Sequence, residues 1–196
     1  GLLSINISAQ TKKTVSKSPN GYIRCYSTEY EKSLQKKNNR RAKTDGFENW
    51  ISDKINRKKF FNNRISAIKT IPVVVHVINK GEAVGIGTNI SDAQVISQIT
   101  TLNNDYRKKT GTKGYNTNPV GADANIEFAL AVRDPNGNPT NGIDRITTDN
   151  DYWDENAVET ELKPTTIWDP TKYLNIWVVN FGGDLDGVLG YAQFPE

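Results

Sequence analysis

The stretch PVVVHVIN, residues 72–79, decides the fold of this chain. It is a run of β-branched residues that is apolar on both faces, a pattern typical of a strand buried inside a sheet. A second run of this kind, YLNIWVVNF, covers residues 173–181. Two such strands need further strands and a covering helix around them, so a sheet with apolar faces is predicted from Ile71 onward.

The sequence around these runs supplies the other elements. A capping-box pattern at Ser91–Gln94 opens a predicted helix that reaches about Lys109. Apolar and polar residues alternate over 125–133, turn-forming residues fill 134–142, and short strands are predicted at 142–148 and 188–195. The predicted fold is therefore α/β (α+β): a twisted, mixed sheet of about four to five strands with a backing helix.

The residues before the sheet are of a different kind. Residues 10–24 are polar and read as an extended lead, and Thr28–Glu31 is a capping-box pattern that predicts a helix to about Lys37. A second helix is predicted over 45–58, where Phe47, Trp50, Ile51 and Ile55 form one apolar stripe. Two such helices cannot form a core alone, so they must pack on something else.

Charge is unevenly distributed along the 196 residues. The net charge is +3, with most Lys and Arg in 12–69 and an acidic region after Asp134. This asymmetry predicts either a nucleic-acid-binding arm or a basic segment docked on an acidic body. The aromatics of the basic region lie on the helix stripe and do not alternate with basic residues as a stacking surface needs, which argues against nucleic acid.

The ends of the sequence suggest export and truncation. The opening GLLSINISAQ is similar to the last part of a secretory signal peptide, so residues 1–9 are predicted to be its remnant and the protein to be secreted. The alternative is a short strand or a frayed terminus. No methionine is present, and a last strand that stops at Glu196 is unusual, so a fragment truncated at both ends is expected. No run of apolar residues is long enough to span a membrane.

Few residues are candidates for chemistry. The single histidine, His76, lies in the centre of a buried strand, where a hydrogen-bonded core imidazole is favoured over a metal ligand. Asp184–Gly187 resembles part of a calcium loop but lacks the other oxygen ligands, so a turn is favoured. Cys25 is the only cysteine. Its residue type fits either a metal ligand in a mobile segment or an incidental thiol.

An ordered series of motifs resembles the pappalysin family of zinc metallopeptidases, which are metzincins. The series consists of Cys25 and then FENWI, IPVVVHVI, ISDAQVISQITTLNNDYRKK, IEFALAVRDPNGNPTNGI, WDPTKYLNIWVV and LGYAQFP. No single piece is diagnostic, but their order and predicted secondary structure are specific. The resemblance covers nearly the whole chain after about residue 21.

The resemblance implies a domain organisation. Residues 10–66 would be a pro-segment, and 67–196 the upper half of a catalytic domain, truncated before the zinc-binding helix. The family's HExxH motif and third histidine are not in this sequence, so the chain itself is expected to be inactive. Zinc is the implied cofactor of the full-length metalloendopeptidase, calcium is left open, and the implied partners are protein or peptide substrates, without nucleic acid or a membrane span. Nothing in the sequence fixes the oligomeric state.

The resemblance also implies roles for residues of this chain. Cys25 matches the pro-segment cysteine that binds the zinc in the latent form, although the family's Cys-Gly-Thr reads Cys25-Tyr26-Ser27 here. Residues 188–193 match the edge strand that pairs antiparallel with substrate, which makes Leu189, Gly190, Tyr191 and Ala192 candidate substrate-binding residues. Activation would require a cut before Ile71, and the basic candidates are Arg40-Arg41, Lys58-Lys59 and Arg64. The alternative function is a non-catalytic secreted binding module that shares the metzincin sheet.

Overall fold

The computed structural model describes residues 17–61 and 67–194. These residues divide into two compact units, each described by itself: Phe60–Asp186, and the residues up to Lys59 together with those from Gly187 onward. The predicted signal remnant at 1–9 and the predicted boundary at residue 66 lie outside the described residues.

The first unit is built on the quoted strand. Strand β1 (Lys69–Asn79) is preceded in the chain by helices α1 (Ser27–Lys37) and α2 (Thr44–Phe61) and followed by helix α3 (Asp92–Tyr106). Strands β2 (Ile126–Leu130), β3 (Ile143–Thr147) and β4 (Leu174–Val178) complete the sheet. The predicted buried run is thus the central strand, and the predicted α/β class is confirmed.

Strand β1 has a neighbour on each edge. Val73 pairs with both Leu130 of β2 and Leu174 of β4, and Val75 pairs with both Ile143 of β3 and Ile176 of β4. Because each residue has only two edges, β2 and β3 lie end to end along one edge of β1, and β4 lies along the other. All three pairings are parallel. The sheet was predicted to be mixed, whereas the strands that the structure describes in it are parallel.

Helix α3 covers one face of this sheet. Its predicted capping box is present, with the Ser91 side chain accepting from the Gln94 backbone and the Gln94 side chain accepting from Ser91 N–H. Val95 and Ile99 pack with β1 valines and Phe128 in one buried cluster. The helix ends at Tyr106, earlier than the predicted Lys109, because Lys108 adopts a positive φ of 44° that no helix accommodates. These contacts make α3 the predicted backing helix.

Two predictions for the second half of the chain are wrong. Residues 155–166, for which the sequence predicts no helix, contain a helical run, α4 (Glu155–Ala157), a π turn (Val158–Leu162) and α5 (Lys163–Thr166). Asp154 caps its start by accepting from Ala157 N–H, and Leu162 within it is buried. The predicted last strand, 188–195, is also incorrect, since Val188 forms one isolated bridge and the described residues after it, 189–194, belong to no strand.

Candidate functional site

The second unit brings the N-terminal segment, defined here as residues 17–59, onto residues 187–194. Ile23 N–H donates to Gly187 O at 2.8 Å, and Leu189 N–H donates to Ile23 O at 2.8 Å. The bridge between Ile23 and Val188 is parallel, so the two segments run in the same direction. Tyr26 N–H then donates to Gly190 O at 3.0 Å. The main chain of 187–190 is therefore occupied by the residues on both sides of Cys25.

Cys25 itself is exposed, and its closest polar partner is Ser27. The Sγ atom lies 3.4 Å from Ser27 Oγ, which also accepts a 2.7 Å hydrogen bond from Ala192 N–H. The hydrogen bonds from the Ser27 hydroxyl and then from its backbone lower the pKa of the Cys25 thiol, against burial and the nearby Glu29 carboxylate. A lowered thiol pKa raises the fraction of thiolate, the form that binds metals.

Tyr191 lies between two tyrosines of the N-terminal segment. Its ring centroid is 4.9 Å from that of Tyr30 and 6.3 Å from that of Tyr26, the latter pair meeting edge to face. Tyr30 is only 2% exposed, so this contact is part of a packed apolar cluster. Helix α1 thereby covers the side chain of a predicted substrate-binding residue.

A buried ion pair completes the unit. Arg41 donates from Nε to Glu31 Oε1 at 2.9 Å and from a terminal nitrogen to Glu31 Oε2 at 2.8 Å, which makes the pair bidentate. The same terminal nitrogen lies 3.0 Å from the Phe194 carbonyl oxygen. The hydrogen bonds from Arg41 hold the pKa of the Glu31 carboxyl below its usual value, although burial acts in the opposite direction.

The structure thus brings together all five residues singled out as candidates in this region, Cys25 and Leu189, Gly190, Tyr191 and Ala192. The contacts made by Ser27, Glu31 and Arg41 were not predicted. Thr28–Glu31 was expected to be a capping box, but helix α1 begins at Ser27 after a Tyr26 N-cap without a side-chain hydrogen bond. Thr28 therefore lies inside the helix and not at its N-cap, and the Glu31 carboxylate binds Arg41.

The predicted activation sites differ in how exposed their side chains are. The Arg41 side chain is only 4% exposed and is paired, so a protease pocket cannot accept it while this unit is folded. Arg40 is exposed. Of the other candidates, the side chains of Lys58-Lys59 and the whole of Arg64 lie outside the described residues.

His76 is a core imidazole, as the sequence predicts. It is fully buried in β1, with Nδ1 at 2.9 Å from Asp144 Oδ2 and Nε2 at 2.9 Å from Asn175 Oδ1. Its ring stacks on Trp177 with centroids 5.1 Å apart. Both ring nitrogens are engaged by side chains of neighbouring strands, so His76 joins β3 and β4 to the central strand.

The described residues do not form a metal site by themselves. Over 17–61 and 67–194, no group of three or more His, Cys, Asp or Glu side chains is placed to hold an ion. Asp184 lies in a 3₁₀ turn and accepts from Glu155 N–H, as expected for a turn. The thiol of Cys25 fits zinc as a single ligand only, and calcium is not supported. Within the same described residues, no helix is long and apolar enough to cross a membrane.

Comparison with solved structures identifies similar proteins. Mirolysin in complex with an inhibitory compound and mature mirolysin of Tannerella forsythia with a cleaved peptide are each 43% identical, with a TM-score of 0.54 over 66% of this chain. A promirolysin mutant of Tannerella forsythia is 37% identical, with a TM-score of 0.59 over 88% of this chain. No protein-family model matches the sequence, and no curated protein matches it.

These similar structures indicate the class of protein to which the chain is related and one particular relative within that class. Fold and sequence are similar to those of metzincin-like metallopeptidases of the pappalysin type, which confirms the resemblance predicted from the motifs. The particular protein that the chain resembles is mirolysin, in both its mature and its precursor form. The chain spans about half the length of these structures, 47–54% of each.

Proposed function

We propose that the chain is the pro-segment and upper catalytic half of a secreted zinc metalloendopeptidase, in its latent form. The observation that carries this proposal is the occupation of residues 187–190 by the backbone on both sides of Cys25. In the full-length protein, the Cys25 thiolate would bind the catalytic zinc, whose remaining ligands would be supplied by residues outside this sequence. The substrates would be proteins or peptides.

The direction of the N-terminal segment supports a role as an inhibitor. An extended substrate that adds to an edge strand binds through main-chain hydrogen bonds, and the resemblance implies antiparallel pairing with 188–193. The N-terminal segment runs parallel instead, through the bridge between Ile23 and Val188. It therefore uses main-chain groups that a substrate needs while presenting its own peptide bonds in the reverse direction. A segment bound in this way blocks the site and is a poor substrate itself.

Each predicted residue has a defined task in this proposal. Leu189 N–H and Gly190 O bind the main chain of Ile23 and Tyr26 in the latent form and would bind substrate after activation. Ser27 holds the thiol through its hydroxyl and ties it to Ala192. A zinc ion supplies an activated water at neutral pH, and a thiolate in the water's position removes that function.

The comparisons are consistent with the proposed boundary at residue 66. Mature mirolysin matches 66% of this chain, a fraction equal to that of residues 67–196, whereas the precursor matches 88%. The additional match of the precursor is as expected if much of the N-terminal segment corresponds to a pro-segment. Export is proposed from the signal-like opening, which lies outside the described residues.

The test is Cys25→Ala in the full-length protein. We expect the variant to cleave a short peptide slowly but measurably without activation, because the thiol no longer occupies the zinc while the N-terminal segment still competes with the peptide for residues 187–190. Thr28→Ala, which alters an exposed side chain three residues away, is the matched control and should stay latent. If Cys25→Ala is as latent as the parent protein, Cys25 is not the inhibitory ligand.

A further inference from the structure

The Glu31–Arg41 pair has a geometry that a surface ion pair lacks. Both side chains are at most 9% exposed, and Glu31 also accepts from Gln35 Nε2 at 2.9 Å. Gln35 Nε2 in turn lies 3.1 Å from Ala42 O, so α1 is bound both to Arg41 and to the residue that follows it. A bidentate pair with supporting hydrogen bonds fixes the guanidinium in one orientation.

That orientation presents the guanidinium to the 187–194 segment. The nitrogen that binds Glu31 Oε2 also reaches the carbonyl oxygen of Phe194 at 3.0 Å. Phe194 lies two residues after Ala192, whose N–H is bound by Ser27. The N-terminal segment therefore binds 187–194 at both of its ends. Main-chain hydrogen bonds bind Gly187–Gly190, and the Arg41 side chain binds the carbonyl of Phe194.

We propose that Arg41 is a positioning residue for latency: held by Glu31, it anchors the N-terminal segment to residues 187–194 independently of the Cys25 thiol. The inference rests on the proposed function in one respect, since it takes 187–194 as the substrate-binding segment. A hydrogen bond from a charged donor to the Phe194 carbonyl is stronger than one between neutral groups. Release of 187–194 therefore requires this contact to break.

The anchor has a consequence for maturation. A trypsin-like protease must take the Arg41 side chain into its specificity pocket to cut after that residue. The same side chain is buried in the anchor, whereas Arg40 beside it is exposed. Cleavage after Arg41 therefore follows the opening of the anchor and does not cause it.

The experiment measures hydrogen–deuterium exchange of the 187–194 amides in the full-length latent protein. Arg41→Lys keeps the charge but removes the planar guanidinium, which binds Glu31 and Phe194 at the same time. Exchange at Leu189 and Ala192 should therefore accelerate about tenfold. The control is Arg40→Lys, the same substitution at the exposed neighbour, which should exchange as the parent does. A double variant, Glu31→Leu with Arg41→Met, avoids leaving a buried charge unpaired and should keep its helix content by circular dichroism. The 187–194 amides of this double variant should still exchange faster than those of the parent protein.

The outcomes separate this inference from the proposed function. If Arg41→Lys and the folded double variant both exchange at the parent's rate, Arg41 is not an anchor. Cys25→Ala should leave exchange at 187–194 within about twofold of the parent, because the anchor holds without the thiol. If the Arg41 variants release 187–194 but Cys25→Ala shows no peptidase activity, the anchor stands and the role of the thiol fails.

Discussion

In the unit Phe60–Asp186, strand β1 is held by apolar burial, whereas in the other unit the N-terminal segment is held largely by polar contacts. Val73 and Val77 are fully buried, and Val73 pairs with Leu130 of β2 and Leu174 of β4. Residues 187–194 are instead held by backbone hydrogen bonds, tyrosine rings and one buried ion pair. Apolar burial is permanent under native conditions, while polar contacts can be exchanged for water or for another peptide. This difference is what the proposed function requires, since an inhibitory segment must be released while the sheet stays folded.

The largest expected effect is on the scaffold. Val73→Asp places a charge between Leu130 and Leu174 in the centre of the sheet, and we expect it to cost about 4 kcal/mol or more of the free energy of unfolding. Val132→Asp, at an exposed position of the same unit, should change it by less than about 0.5 kcal/mol. Urea denaturation measures both. A Val73→Asp protein as stable as the parent would show that β1 is not the core of its unit.

A smaller effect is expected at the polar residue inside the scaffold. His76→Ala should lower the free energy of unfolding by about 3 kcal/mol, because it leaves a cavity against Trp177 and removes hydrogen bonds to Asp144 and Asn175. Asp144→Asn keeps the packing and should cost about 1 kcal/mol. Equal losses in the two variants would mean that the hydrogen bond to Asp144, and not the buried ring, stabilises the sheet.

Acid should weaken the second unit through Glu31. The pKa of this carboxyl is lowered in the folded state by Arg41, so its contribution is present above the usual value of 4.5 and is lost as the pH falls through the lowered value. Hydrogen exchange of 187–194, corrected for its intrinsic pH dependence, should therefore accelerate below that pH. The effect should be absent in Glu31→Gln. An equal acceleration in that variant would assign the acid response to another group.

The smallest effect is expected at Ser27, where the quantity that changes is the pKa of the Cys25 thiol and not the free energy of unfolding. Ser27→Ala should raise the pKa of the Cys25 thiol toward its ordinary value, because the hydrogen bond that lowers it is lost. The measurement is the rate of iodoacetamide alkylation against pH. Ser27→Thr keeps a hydroxyl and should behave as the parent, as should Thr28→Ala. An unchanged profile in Ser27→Ala would show that the hydroxyl does not tune the thiol.

The same contrast explains what could be predicted from the sequence. The run at 72–79 predicts β1, and the capping box at Ser91 predicts the start of α3, because apolar periodicity and local caps are recorded in consecutive residues. The helical run after Asp154 was missed because its two buried residues, Val158 and Leu162, lie among charged neighbours that indicate a loop. The failure of the strand at 188–195 has a different origin. Its hydrogen-bond partners are residues 23–27, more than 160 positions away, and nothing local marks them.

The candidate site was predictable only in part. Cys25 and the LGYAQFP motif were identified by their resemblance to the family. Arg41 was predicted only as part of a basic cleavage site with Arg40. Its burial depends on a carboxylate ten residues earlier and a carbonyl 153 residues later. Glu31, the carboxylate that binds Arg41, was instead assigned to a capping box with Thr28. In the sequence, a glutamate at this position is compatible with either role.

The most direct test is zinc K-edge X-ray absorption of the full-length latent protein, compared with its Cys25→Ala variant. We expect a zinc–sulfur distance of about 2.3 Å in the parent that is absent from the variant. Identical spectra for the two proteins, with or without a sulfur contribution, would show that Cys25 does not bind the zinc.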